Sequence, residues 1–176
     1  LGVTGDRAIF VRMPPLESIT TNYTSIVLKE PFPASLRRAS VSGSSLTDLN
    51  AFGACTLLQY LDISRTKSRT LSPLARMNRL RELTARDCPG LVDASILDSL
   101  CGLEVIDLSA TSLGMIPYLG NKPDLQVFAL SSSACTTRIE GPGTLPRIRK
   151  FSTSGTRLRG TFFLQNCQAL GECDVE

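Results

Sequence analysis

Apolar residues recur along this chain with a long period as well as a short one. Segments opening at Leu36, Leu58, Leu80, Leu103, Leu125, Ile148 and Leu170 begin 22 or 23 residues apart and can be laid over one another. With each opening residue counted as position one, position four holds Ala39, Leu61, Leu83, Ile106, Phe128, Phe151 and Cys173. Position six holds Val41, Ile63, Ala85, Leu108, Leu130, Thr153 and Val175. Residues two apart on an extended chain point to the same side, so this part of the unit predicts a strand with one buried face. Seven strands are expected near residues 38–42, 60–64, 82–86, 105–109, 127–131, 150–154 and 172–175, parallel and in chain order. Later in the unit the apolar spacing falls to about three residues, as at Leu46, Leu49 and Phe52 or Leu71, Leu74 and Met77. That predicts a turn and a return leg of nearly helical pitch.

A single unit of this size buries too few side chains to offset the entropy of ordering its backbone. Its stability has to come from stacked neighbours that pair its strand and cover both flanks of its apolar layer. The return legs carry start signals of their own. Ser72-Pro73 ahead of Leu74 reads as an N-cap followed by a first-turn proline, and Asp93 ahead of Ala94-Ser95 reads as a second cap.

The unit resembles the leucine-rich repeat, L-x-x-L-x-L-x-x-N/C-x-L with a period of about 20–29 residues. The resemblance covers residues 36–176 as six units and a terminal strand, and a degenerate earlier unit opens at Leu16 with Ile19, Thr24, Ile26 and Phe32 in register. Residues 1–35 are then expected to form an N-terminal cap containing that unit. The implied fold is α/β: a solenoid, or horseshoe, with a parallel sheet on its concave side and short helical or 3-10 return legs. The 22-residue length is similar to the short internalin-like class. One departure matters. Position nine in the family is usually Asn, whose amide satisfies buried backbone groups, whereas here it is Ser44, Thr66, Cys88, Thr111, Ser133 or Thr156. A hydroxyl supplies part of that bonding, which implies a weaker ladder, partly filled by water. This hydroxyl version resembles repeats of kinetoplastid proteins.

Composition narrows the chemistry. The 176 residues contain no His and no Trp, which removes Ser-His-Asp and Cys-His catalysis and His-ligated zinc. Lys plus Arg total 19 against 16 Asp plus Glu, too slight an excess for a chain built to neutralise many phosphates. Aromatic content of 6% is thin for stacking single-stranded bases. No apolar run approaches the roughly 18 residues that mark a membrane helix. The six Cys show no metal-ligand spacing. Six free thiols are expected, mostly buried, with Cys167 and Cys173 both in the core. Free thiols without a visible signal segment favour the cytoplasm, while the sequon Asn22-Tyr23-Thr24 keeps an extracellular surface open. No phosphate-binding glycine motif is present, and no catalytic residue, cofactor, metal or small-molecule substrate is expected.

In such a solenoid, positions three, five, seven and eight of each strand face outward on the concave side. They supply Arg38; Tyr60, Asp62 and Arg65; Glu82 and Arg86; Val105 and Asp107; Val127; and Lys150. Charged residues around Tyr60, the single aromatic of the set, lie next to an apolar, exposed stretch at Val105, Val127 and Ala129. That mixture points to a protein-binding face, and it is also what plain solvated surface presents. The Arg-rich stretch between Arg65 and Arg86 is split by the register among the concave face, the turns and the return legs, which argues against a nucleic-acid groove. Two functions stand side by side: an interaction module that binds a protein through the concave strands, and a structural segment of a larger assembly that stacks through its ends.

Overall fold

A computed structural model describes residues 15–23, 31–115, 119, 122–135, 145–157 and 167–175. The strands are β1 (Ser18–Thr20), β2 (Arg38–Ser40), β3 (Tyr60–Asp62), β4 (Glu82–Thr84), β5 (Val105–Asp107), β6 (Val127–Ala129), β7 (Lys150–Ser152) and β8 (Glu172–Asp174). They form one sheet in chain order, with every neighbouring pair parallel. The register aligns like with like: position three of each unit pairs with position three of the next, as in Tyr60 with Glu82 and Glu82 with Val105. Return legs are short 3-10 turns at Asn50–Phe52, Ser72–Leu74 and Ser95–Ser99. The molecule is a leucine-rich-repeat solenoid.

The strands are three residues long, positions three to five, shorter than the pattern suggests, and a left-handed step follows at position eight. Tyr23, Gly43, Arg65, Asp87, Ala110, Ser132 and Gly155 all take φ between +53° and +70°. This left-handed step turns the chain off the sheet at the same point in seven successive units. Backbone pairing nevertheless continues through the turn. The position-eight amide donates to the position-seven carbonyl of the next unit, as from Gly43 to Ser64 at 2.7 Å and from Arg65 to Arg86 at 2.8 Å.

Inside, the opening residues and positions four and six form a continuous apolar column in which Leu58, Leu61, Ile63, Leu83, Ile106 and Phe128 have no exposed surface. Ile19 and Phe32 belong to the same core, and the Phe32 ring packs 4.4 Å from that of Phe52. The expected cap residues 1–14, and Thr24 and Ile26 of the early unit, lie outside the described residues. Position nine closes the column on the turn side. Thr66, Thr111 and Thr156 donate their hydroxyls to the position-six carbonyls of their own units, Ile63, Leu108 and Thr153, at 2.6–2.8 Å. Ser133 and Cys88 reach back to the same carbonyls of the preceding units, Leu108 at 3.1 Å and Ile63 at 3.3 Å. The hydroxyl ladder is thus largely closed by protein groups. The exception is the buried Ser44 hydroxyl, which meets no hydrogen-bond partner.

Three details differ from the sequence expectation. Ser72 lies inside its turn, whose N-cap is Leu71, and the Ser72 amide donates to the Thr70 hydroxyl at 3.1 Å. Asp93 stands one residue ahead of its turn's N-cap, Ala94, and accepts from the Ser95 amide at 3.0 Å from there. The third concerns thiols. All six are free, but Cys173 on β8 is exposed together with the rest of that strand, because among the described residues no further layer covers it. Cys101 is exposed as well, whereas burial pushes the Cys55 thiol up to about 11. One buried group was not foreseen. Lys122 is fully enclosed at the return-leg position occupied elsewhere by Cys55, Met77, Leu100, Leu145 and Cys167.

Candidate functional site: the concave face

Each of the strands β1 to β7 places its middle residue in the core and turns its two flanking residues to the concave side, and β8 continues the pattern with all three residues exposed, so the concave face consists of two parallel rows. One row, from position three, runs Ser18, Arg38, Tyr60, Glu82, Val105, Val127, Lys150 and Glu172. The other, from position five, runs Thr20, Ser40, Asp62, Thr84, Asp107, Ala129, Ser152 and Asp174. All ten side chains expected on this face lie on these rows or on the turn that follows them. Adjacent strands are about 4.8 Å apart, which lets neighbouring units shield one another.

Shielding changes the expected apolar patch. Val105 and Val127 are half-buried, not exposed, and Ala129 is buried at 9%. Each sits shoulder to shoulder with residues of both flanking strands, so little of a short side chain protrudes. The longer side chains lean on the next unit. The Arg38 guanidinium lies 4.6 Å over the Tyr60 ring. Lys150 donates to Glu172 at 2.8 Å, and Arg86 stands 3.6 Å from Asp107. Arg65 bridges Asp87 at 3.4 Å and the Tyr23 hydroxyl at 2.5 Å. The phenol of Tyr60 is pushed above its usual pKa, first by burial, then by the carboxylates of Asp62 and Glu82, with Arg38 acting in the opposite sense.

Asp62 and Asp107 have a structural task. Each carboxylate accepts from the amide two residues on, Ser64 at 2.9 Å and Ser109 at 3.0 Å, and so holds the entry to the left-handed turn. Asp62 also accepts from Ser40 at 3.1 Å. Asn22, at position seven of the first unit, instead holds the turn of the next unit, accepting from the Ser40 hydroxyl and from the Ser42 amide. Three arginines of the basic stretch face acids of the next unit: Arg65 faces Asp87, Arg81 faces Glu104 at 3.2 Å, and Arg86 faces Asp107.

Tyr60 is not the single aromatic here. Tyr23, 68% exposed, stands at the edge of the face and lays its ring across Gly43 to reach Arg65 two units away. The signal for it was the recurrence of glycine at position eight, Gly43 and Gly155, which marks a left-handed site. Reading that site into the other units would have turned Tyr23 toward the sheet edge. Among the described residues no group of His, Cys, Asp or Glu is arranged to hold a metal ion, and no helix is long and apolar enough to cross a membrane.

No family model matches the chain, and neither does any curated protein sequence. Solved structures do match. An internalin, inlF, from Listeria monocytogenes superposes with a TM-score of 0.79 over 92% of this chain and 48% of its own, at 21% identity. The chain therefore spans about half the length of that internalin. Internalin C2 from the same bacterium gives 0.78 over 92% of this chain and 71% of its own, at 16% identity. The ectodomain of the Arabidopsis receptor kinase HAESA, solved with a peptide hormone ligand, gives 0.66 over 89% of this chain and 33% of its own, at 18% identity. The shared feature is the internalin-like leucine-rich-repeat fold.

Proposed function

We propose that this solenoid is a non-catalytic interaction module whose concave face binds a protein partner through Arg38, Tyr60, Asp62, Arg65, Glu82, Arg86, Val105, Asp107, Val127 and Lys150. The observation that carries the reading is the sheet face itself. Eight strands in unbroken register present Tyr and Arg side chains on a rigid support, and among the described residues no other strand or turn packs over them. Tyr and Arg dominate binding hot spots because Tyr brings a large, rigid contact area on two rotatable bonds and Arg brings a planar fork of five donors. The peptide-bound HAESA ectodomain adds a fold-level analogy, since it presents a comparable solenoid to a ligand.

Charge reversal at Arg65 or Arg86, and Tyr60→Ala, test it. The two arginines are exposed and their ion pairs lie at the surface, so each change is expected to leave the folded solenoid intact. Loss of a hot-spot Tyr or Arg typically costs about 2 kcal/mol or more of binding. Capture from native extract with the wild type and these three variants should show a partner that the variants lose. A partner retained by all three, and lost when residues 172–175 are changed, supports end-stacking and contradicts the concave-face reading.

A further inference from the structure

We propose that the centre of the position-three row, Glu82 with Val105 and Val127, is a docking strip for an extended segment of a partner protein that carries a cationic side chain followed, two residues on, by an apolar one. This rests on the reading of the concave face as a protein-binding surface and specifies its partner.

The pairing along the row is uneven. At the N-terminal side Arg38 covers Tyr60, and at the C-terminal side Lys150 holds Glu172. Between these self-satisfied ends, Glu82 has no side-chain hydrogen bond or ion pair among the described residues. A half-buried carboxylate in that setting gains more from an incoming cation than a solvated one does, because its own water shell is already thinned. The neighbouring row reinforces the sign. Asp62 stands one strand before Thr84 and Asp107 one strand after it. The hydrogen-bond partners of Asp62 are a hydroxyl and an amide, neither of which carries charge, while Asp107 has Arg86 at 3.6 Å. The perturbed phenol of Tyr60 registers the same negative field, to which Asp62 and Glu82 contribute after burial.

Val105 and Val127 are next in the row, paired directly with each other. They form a shallow apolar floor with Ala129 beside them. From Glu82 to the midpoint of the two valines is one and a half strand spacings, about 7 Å. Side chains on one face of an extended peptide repeat about every 6.7 Å, two residues at roughly 3.3–3.4 Å each. A Lys or Arg over Glu82 therefore sets the residue two positions later above the valines. Beyond that point the ammonium of Lys150 is held by Glu172, which keeps a second cation of the ligand away from that end.

The test is a titration of the isotopically labelled full chain with three pools of end-capped synthetic hexapeptides, followed by amide NMR shifts. The pools fix Lys-x-Leu, Glu-x-Leu or Lys-x-Ser at the centre and randomise the rest. The Lys-x-Leu pool is expected to shift amides at 82–84, 105–107 and 127–129 and to bind about tenfold more tightly than either other pool, and Glu82→Lys should reverse the preference toward Glu-x-Leu. Because Glu82 lies outside the core, the variant spectrum itself reports an intact solenoid. The proposal is overturned if no pool shifts the strip, or if the Lys-x-Leu preference survives Glu82→Lys. Shifts confined to Arg38, Arg65 and Arg86 with a preference for the Glu-x-Leu pool overturn the cationic partner and leave the concave-face reading standing. Shifts confined to the return legs overturn both.

Discussion

Tyr60 and Leu61 are neighbours on β3 with opposite fates, and the contrast holds for the whole sheet. Leu61 has no exposed surface and touches an apolar column that runs through every unit, whereas Tyr60 is half-buried and its surroundings come from Arg38 one strand away. The inner face is specified by what each residue is. The outer face is specified by which neighbours it finds. Structure in a stacked repeat is therefore read from one unit, while recognition has to be read from the rows that the stacking creates.

The sharpest way to break this contrast is to exchange the two faces' tolerance. Ile106→Asp puts a carboxylate into a fully buried layer and should unfold several units, seen as loss of the cooperative urea transition. Leu61→Ala leaves a cavity and is expected to cost about 2–5 kcal/mol by the same measurement. Tyr60→Ala, one residue away, should stay within about 1 kcal/mol. Equal losses for Leu61→Ala and Tyr60→Ala would show that the two faces are not energetically distinct.

Lys122 breaks the inner-face rule, and that gives the next prediction. Its ammonium is enclosed, and burial lowers its pKa below the usual lysine value while Cys101 and Asp98 act in the opposite sense. A lysine whose folded pKa is depressed is penalised while it is protonated in both states. The penalty fades as pH rises from the folded pKa to the unfolded value of about 10.4. Lys122→Met should therefore raise stability at neutral pH, because burial is the largest influence on the ammonium. The advantage should shrink as urea melts are repeated toward pH 10. A constant or growing advantage contradicts the desolvation argument.

The left-handed turn supplies a matched pair of smaller effects. Ala110 carries its β-carbon at φ +57°, so Ala110→Gly should stabilise by about 1 kcal/mol. Gly43→Ala should destabilise by at least that much, since the new β-carbon would also collide with the Tyr23 ring. Thermal melts of both decide it; the same sign for the two substitutions would contradict a shared turn. At position nine the effects are no larger. Thr111→Val removes the bond to Leu108 and should cost about 1 kcal/mol, while Ser44→Ala, losing a hydroxyl without a partner, should cost nothing or stabilise slightly.

These predictions also show what was legible beforehand. The 22-residue period, the strand order, the core column and the ten outward side chains follow from residue type and spacing, because burial is decided by each residue's own character. The position-eight turn was harder to see, since Arg65, Asp87, Ala110 and Ser132 occupy a conformation that only Gly43 and Gly155 advertise. The Tyr23 contact with Arg65 was out of reach for a further reason. It spans two units and exists because Gly43, between them, has no side chain to hold the ring away. Likewise the exposure expected at Val105, Val127 and Ala129 ignored the shielding that neighbouring strands give short side chains. The end of β8 at Cys173 erred the other way, where a core position in the pattern has no covering layer among the described residues.

Amide hydrogen exchange of the chain, alone and with a partner captured from native extract, tests the claim that recognition resides in the rows. Added protection is expected in β3 to β6, residues 60–62, 82–84, 105–107 and 127–129, with the 3-10 turns at 72–74 and 95–99 unchanged. Protection confined to those turns, or to 172–174 at the edge of the sheet, would contradict it.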